Sequence, residues 1–134
     1  MQQLTAQELN QTFSLEEWPL FESVEYDVRQ PDLVLIKLKV SISESLKYFA
    51  GHFPDQAVLP GVVQIHWAGE LARLCLCVEG FTKFKKVKFN SVIFPSTQVS
   101  LSLSYKPVNG CLNFVYEDQQ QKYSSGTLFF LEQT

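Results

Sequence analysis

Residues 48–70 read YFAGHFPDQAVLPGVVQIHWAGE, and this stretch predicts how the rest of the chain is arranged. Gly51, Pro54 and Pro60 interrupt its first half. We expect a loop there, because proline removes a backbone donor and restricts the residue before it. From Gly61 the chain continues as an almost uninterrupted apolar run of about five turns, with no internal proline. Such a run predicts a long helix that is buried on most sides.

The junction between this loop and the helix is where we expect the chemistry. The first amides of a helix lack internal partners and carry the positive end of the helix dipole. Because Gly61 has no side chain, a carbonyl oxygen of a ligand can approach its N–H closely. His52 lies upstream on the proline-rich loop, so that its imidazole could face the same carbonyl. A base beside an oxyanion donor suits proton abstraction next to a thioester or ketone.

Residues 51–70 resemble the signature of the β-hydroxyacyl-acyl carrier protein dehydratases of the hotdog fold, whose usual form is GHFPGxPVMPGVLxxEAxxQ. The preceding aromatic pair, Tyr48 and Phe49, also fits, as does the later segment KVKFNSVIFPSTQVSLSLSY. The resemblance is most specific between His52 and Gly61, where GHFP is followed at a fixed distance by LPGV. The VVQIHWA segment looks closer to the divergent dehydratases of secondary acyl-chain pathways, such as aryl polyene synthesis, than to the housekeeping enzymes.

The resemblance implies a reaction and roles for several residues. His52 would remove the C2 proton of a 3-hydroxyacyl thioester while the Gly61 amide holds the thioester oxygen. Phe53 and Val62 are implied to help bind the substrate, which is attached to an acyl carrier protein. The product would be a trans-2-enoyl thioester of fatty-acid or related acyl-chain biosynthesis. A homodimer or dimer-based oligomer with sites at the interface is implied as well. No metal or redox cofactor is implied, since elimination of water needs none.

The acid side of the site departs from the family pattern. The family carries a carboxylate fourteen residues after the histidine and a glutamine one turn later, where this chain has His66 and Glu70. These two residues share a helix face, which Arg73 extends. Either a protonated His66 beside Glu70 donates a proton to the leaving hydroxyl, or Glu70 does. In the contrary interpretation His66 is an ordinary core histidine and Glu70 only pairs with Arg73, in a protein that is not a dehydratase.

The segments around the long helix predict an α+β fold. The pair Thr5 and Glu8 predicts a capped helix at residues 5–11, and Gly80 predicts where the long helix stops. Alternating patterns predict six strands, at residues 21–30, 33–43, 84–94, 98–106, 111–117 and 122–131. An antiparallel sheet needs its apolar face covered, and the long helix is the candidate of sufficient length. We therefore expect a single hotdog domain over residues 1–134, with the sheet wrapped around a central helix.

Composition excludes several classes of protein. Hydrophobic residues make up 46% of the chain and charged residues 19%, as in ordinary globular proteins. A formal net charge of −3 argues against a general nucleic-acid binder. The first ten residues are polar and charges interrupt the longest apolar stretch, so we expect a cytoplasmic protein without a membrane span. Cys75, Cys77 and Cys111 lack a metal-ligand spacing and are expected to be reduced packing residues.

A cluster of lysines stands out in this acidic chain. Lys83, Lys85, Lys86 and Lys88 place four positive charges within six residues. They are typical of a solvated strand edge that is protected against aggregation. They would also suit docking of an acidic acyl carrier protein, because opposite charge speeds encounter.

Two other functions remain open at the level of the sequence. The first is a thioesterase, in which Glu70 would direct water at a carbonyl held by Gly61. The retained His52 loop argues against this function, because thioester hydrolysis needs no C2 base. The second is a non-catalytic acyl-binding or heterodimer-partner subunit, which the histidine at position 66 would favour.

Overall fold

The structure, a computed structural model, describes residues 1–50 and 57–131. Within these residues the elements follow in the order α1 (Ala6–Thr12), β1 (Leu20–Asp27), β2 (Val34–Ile42), α2 (Gly61–Leu76), β3 (Phe81–Phe89), β4 (Thr97–Lys106), β5 (Cys111–Glu117) and β6 (Lys122–Phe130). A short 3-10 turn lies between β2 and α2. The α+β class is confirmed, with two strands before the long helix and four after it. No helix of the described residues combines the length and apolarity that crossing a membrane requires.

The six strands form one antiparallel sheet in the order β1-β2-β4-β5-β6-β3. The alternation predicted for β2 is confirmed. Ile36, Leu38 and Val40 are buried in the core, whereas Lys37 and Lys39 on the opposite face are exposed. Because one face of the sheet is apolar and the other polar, the pairing register is strongly specified.

Helix α2 lies against the apolar face of the sheet with one side only. Its buried residues are Val63, Gln64, Trp67, Ala68, Leu71, Ala72, Cys75 and Leu76. On the other side Val62, His66 and Arg73 are exposed. The expectation that the helix is buried on most sides is therefore wrong for a single chain, because the sheet covers one side and the described part of the chain leaves this face open.

The two helices differ in how well their ends follow local rules. In α1, Thr5 Oγ1 accepts from the backbone N–H of Glu8 at 3.1 Å, and the Thr5 N–H donates to Glu8 Oε1, also at 3.1 Å. This is the predicted capping box. Helix α2 ends earlier than the Gly80 signal predicted, because Cys77 adopts the left-handed conformation with φ of 56°. Gly80 also has a positive φ, of 75°, and introduces β3.

Strand β3 is shifted from its predicted position at residues 84–94. The backbone N–H groups of Asn90 and Ser91 both donate to the carbonyl of Tyr123, at 2.8 and 3.1 Å, and this ends the pairing of β3 with β6. Within the strand the register shifts between Lys85 and Lys88. Residues 90–94 then leave the sheet, so their alternating pattern does not mark a strand.

Candidate active site

The structure describes the helix side of the predicted site. Gly61, Val62, His66 and Glu70 all belong to α2. His52 and Phe53, the predicted base and one predicted substrate-binding residue, lie outside the described residues. The described part of the site therefore comprises the predicted oxyanion donor and the predicted acid side.

Three of the predicted residues share the exposed face of α2. Val62, His66 and Glu70 follow one another at intervals of four residues, which places successive side chains on one face about 6 Å apart along the axis. Val62 is 74% exposed, and Glu70 is partly buried. The helix face that carries these predicted site residues is thus the face that the sheet does not cover.

His66 is a surface residue beside an aromatic cluster. Its ring centroid lies 5.7 Å from that of Trp18, with an angle of 47° between the rings. Trp18 in turn stacks on Trp67 at 6.0 Å and on Phe13 at 3.9 Å. Trp18 therefore forms a rigid wall on one side of the imidazole. The description of His66 as an ordinary core histidine does not match this exposed position.

Glu70 is paired with a neighbour on its own helix. Arg73 donates from Nη2 to Glu70 Oε2 at 3.1 Å, and from Nε to both carboxylate oxygens at 3.3 and 3.4 Å. The hydrogen bond to Glu70 raises the pKa of the Arg73 guanidinium. Within the part of the chain that the structure describes, the hydrogen-bond partner of this carboxylate is Arg73 and not His66. The pairing of Glu70 with Arg73 considered from the sequence is thus present.

A cavity of about 250 Å³ opens beside this face. Its helix wall carries Ile65, His66, Gly69, Glu70 and Arg73, and its remaining lining residues are Glu79, Gly80, Phe81, Leu128 and Phe130. The cavity therefore places ionisable groups opposite an apolar floor, an arrangement suited to an acyl chain with a polar reacting end. A β-carbon at Gly69 would meet Leu128 Cδ1 at 3.7 Å, which is an ordinary contact.

Gly61 is the first residue of α2, directly after the N-cap Pro60. The first helical hydrogen bonds run from the N–H groups of Val63 and Gln64 to the Pro60 carbonyl, at 3.1 and 3.3 Å. The Gly61 N–H thus precedes the helical ladder, as an oxyanion donor must. The ring of Phe89 packs against the α-carbon of Gly61. Sequence reasoning missed Phe89, because no local pattern links residues on different elements.

A metal centre at this site would need several ligating side chains close together. In the ranges 1–50 and 57–131, no three His, Cys, Asp or Glu side chains are grouped so that they could hold a metal ion. Cys75 is buried, as expected of a packing residue, and Cys111 is partly buried. The same expectation is wrong for Cys77, which is exposed because it caps the end of α2.

Comparison with known proteins identifies relatives of this chain. The family model described as ApeI-like, ApeI dehydratase, matches residues 28–127. A chain of the dehydratase heterocomplex ApeI:P from Xenorhabdus doucetiae is 28% identical, with a TM-score of 0.69 over 84% of this chain and 97% of that one. An uncharacterized protein from Erwinia carotovora subsp. atroseptica is 25% identical, with a TM-score of 0.78 over 86% of this chain and 97% of that one.

A more distant likeness extends only to the fold. A proposed thioesterase, yhdA, from Lactococcus lactis is 10% identical, with a TM-score of 0.57 over 84% of this chain and 94% of that one. No curated protein sequence matches the chain. The hotdog fold and the resemblance to the divergent dehydratases are confirmed. Since the family model covers most of the chain, this protein belongs to the ApeI-like dehydratase family.

Proposed function

We propose that this protein removes water from 3-hydroxyacyl thioesters carried on an acyl carrier protein, giving trans-2-enoyl thioesters for fatty-acid or related acyl-chain synthesis in the cytoplasm. One domain, residues 1–134, would carry the activity. The observation that carries the proposal is the cavity in which His66 and Glu70 face the apolar residues Leu128 and Phe130. Membership in a dehydratase family supports the reaction type.

The proposed reaction divides between the two ends of the site. His52 takes the proton from C2, while the Gly61 N–H donates to the thioester oxygen and stabilises the charge that develops there. The acid side then protonates the hydroxyl on C3. Water leaves with the C3–O bonding electrons, and the electrons of the C2–H bond form the C2=C3 double bond. Phe53 and Val62 would contact the thioester next to Gly61.

We assign the acid role to His66, with Glu70 as the alternative. The carboxylate oxygens of Glu70 accept hydrogen bonds from Arg73, whereas the His66 ring is exposed on the same face. An imidazolium can donate a proton to a leaving hydroxyl at neutral pH because the ordinary pKa of histidine lies close to this range. In this assignment Glu70 and Arg73 shape the polar wall of the cavity.

We further propose that the active form is a dimer whose second copy covers the open side of α2 and the β3 edge. Four large apolar side chains are exposed there: Val62 at 74%, Phe81 at 52%, Phe84 at 54% and Phe89 at 53%. Exposed apolar residues concentrated on one side are typical of an association surface. Sedimentation at micromolar concentration should give twice the chain mass, and a monomer would contradict the homodimer.

A second candidate is a non-catalytic partner subunit that binds acyl chains. The pairing of Glu70 with Arg73 favours this function, because the carboxylate that could serve as the acid is already bound to a guanidinium. The relative from Xenorhabdus doucetiae is itself described as part of a heterocomplex. The thioesterase alternative has weaker support, because the likeness to yhdA extends to the fold alone.

The deciding experiment uses purified protein and a 3-hydroxyacyl thioester, on a carrier protein or a pantetheine mimic, with mass spectrometry of the products. Loss of one water with the thioester intact, abolished by His52→Ala, is the expected result. Free acid would instead indicate a thioesterase. Unchanged substrate would contradict the proposal for the protein alone and would favour the partner-subunit function.

A further inference from the structure

We propose that a buried hydrogen bond between Gln64 and Ser124 positions the Gly61 amide. Gln64 and Ser124 are then positioning residues of the reaction. The catalytic part of this inference rests on the proposed function. Both side chains are buried in the core, with exposed fractions of 2% and 0%. Ser124 Oγ, on β6, donates to Gln64 Oε1, on the first turn of α2, at 2.6 Å.

The same glutamine holds the segment that leads into the helix. Gln64 Nε2 donates to the carbonyl of Leu59 at 3.3 Å. The N–H of Leu59 in turn donates to the carbonyl of Ile93 at 2.8 Å. Leu59 is thus bonded at both of its backbone groups, two residues before Gly61. Through Gln64, Ser124 is connected to the backbone that sets the direction of the Gly61 N–H.

Three residues in one row of the sheet meet the first turn of α2. Tyr116 on β5 pairs with Ser124 on β6, and Ser124 pairs with Phe89 on β3. The Tyr116 hydroxyl donates to the backbone carbonyl of Gln64 at 2.7 Å. The Phe89 ring packs on the α-carbon of Gly61. The row therefore contacts the helix start through two hydrogen bonds and one aromatic contact.

The hydrogen bonds at the first turn of α2 should affect catalysis because they have a preferred direction. Hydrogen bonds weaken steeply when they are misaligned, so they restrict a shift of the helix along the sheet. Apolar side chains of the same size would fill the space but would restrict such a shift less. An oxyanion donor must lie about 2.7–3.1 Å from the developing charge. A misplacement of about 1 Å lowers the rate of an enzyme by up to roughly a hundredfold. The buried pair is thus expected to affect turnover more than substrate binding.

The test compares Ser124→Ala with Ser125→Ala, the same substitution one residue along β6 at a partly exposed position. We expect Ser124→Ala to lower kcat by roughly ten- to a hundredfold with KM changed less than about twofold. Ser125→Ala should retain the wild-type kcat. A Ser124→Ala protein with the wild-type kcat, measured well below its Tm, would overturn the inference.

Hydrogen–deuterium exchange without substrate supplies an independent readout. In Ser124→Ala we expect faster exchange of the amides in residues 59–66, with the remainder of α2 unchanged. Faster exchange along the whole helix would indicate a general loss of stability and overturn the positioning role. If the wild-type protein shows no dehydration, the proposed function fails. In that case exchange confined to residues 59–66 still supports the structural part of the inference, and unchanged exchange overturns it.

Discussion

The ring of Phe89 occupies the space that a β-carbon on Gly61 would need. Cζ and Cε1 of the ring lie 2.5 and 2.7 Å from the ideal position of such an atom. The packing of the protein itself thus favours glycine at the start of α2, in addition to the expected approach of a ligand oxygen. The same contact places an aromatic ring directly beside the proposed oxyanion donor.

Gly61→Ala is predicted to depend on Phe89. The contacting atoms lie at the far end of the Phe89 side chain, so the ring can shift, and the overpacking should cost no more than about 1–3 kcal/mol of unfolding free energy. In a Phe89→Ala background the same substitution should cost less, with a coupling energy of at least about 0.5 kcal/mol. Urea denaturation of the four proteins measures this cycle. Gly69→Ala is the matched control, since its new β-carbon makes only an ordinary contact at 3.7 Å, and additive effects would contradict the prediction.

His66→Ala is predicted to lower kcat more than Glu70→Gln does. Removing a general acid costs a factor of roughly 10²–10⁴, whereas loss of a residue that shapes the cavity costs less. Turnover at saturating substrate checks the order of the two variants. Arg73→Gln is the matched control, because it frees the Glu70 carboxylate without changing His66. The reverse order, with Glu70→Gln nearly inactive, would assign the acid role to Glu70.

Charge reversal at Lys83 and Lys85 is predicted to lower kcat/KM for carrier-bound substrate and to weaken its dependence on salt. Both side chains are exposed, with their Nζ atoms 5.3 and 5.9 Å from the centre of the Phe129 ring. Opposite charges accelerate encounter, and salt screens this effect. Reversal of Lys37 and Lys39, which are exposed on β2, serves as the control. Equal effects of the two pairs, or no effect of either, would contradict a docking role for Lys83 and Lys85.

Cys77→Gly is predicted to stabilise the fold. Cys77 has φ of 56° and ψ of 40° at the end of α2, a conformation that glycine adopts without the steric cost of a β-carbon. We expect a gain of about 0.5–1 kcal/mol, after allowing for the greater entropy of glycine in the unfolded chain. Thermal unfolding of Cys77→Gly beside Cys77→Ala, which keeps the β-carbon, measures the effect. A lower Tm for the glycine variant than for the alanine variant would contradict it.

Stability is predicted to fall as the pH rises above about 10. Burial is the largest cause of a raised pKa for four tyrosines, Tyr26, Tyr105, Tyr116 and Tyr123. The unfolded chain releases these protons near pH 10, whereas the folded protein retains them to higher pH. The contribution is therefore complete below pH 10 and is lost as the pH rises from there. Urea denaturation between pH 8 and 11 measures it.

Tyr116→Phe supplies the comparison for this curve. The variant should be less stable than the wild type at pH 8, because the bond to the Gln64 carbonyl is lost. Its decline above pH 10 should nevertheless be shallower, since one titrating hydroxyl is gone. If the unfolding free energies of the two proteins fall in parallel above pH 10, Tyr116 does not contribute to the loss of stability.

Predictions from the sequence were best where the physics is local. The capped start of α1 depends on two residues three apart, and it was predicted correctly from Thr5 and Glu8. The end of α2 was misplaced because Cys77 adopts a conformation that its residue type disfavours. The end of β3 was misplaced because it depends on the carbonyl of Tyr123, far along the chain. Errors thus fall where a distant residue or a strained backbone decides the boundary.

The residues alone predict the fold class, the family resemblance and the spacing that places Val62, His66 and Glu70 on one helical face. The spacing has this consequence because the period of a helix is an intrinsic property of the backbone. By contrast, it is the folded chain that shows this helical face to be exposed and the start of α2 to contact one row of the sheet. Sheet order and strand register bring together residues far apart in the chain, such as Gly61 with Phe89 and Gln64 with Ser124. No local pattern encodes those contacts, because they depend on how the whole sheet packs against the helix.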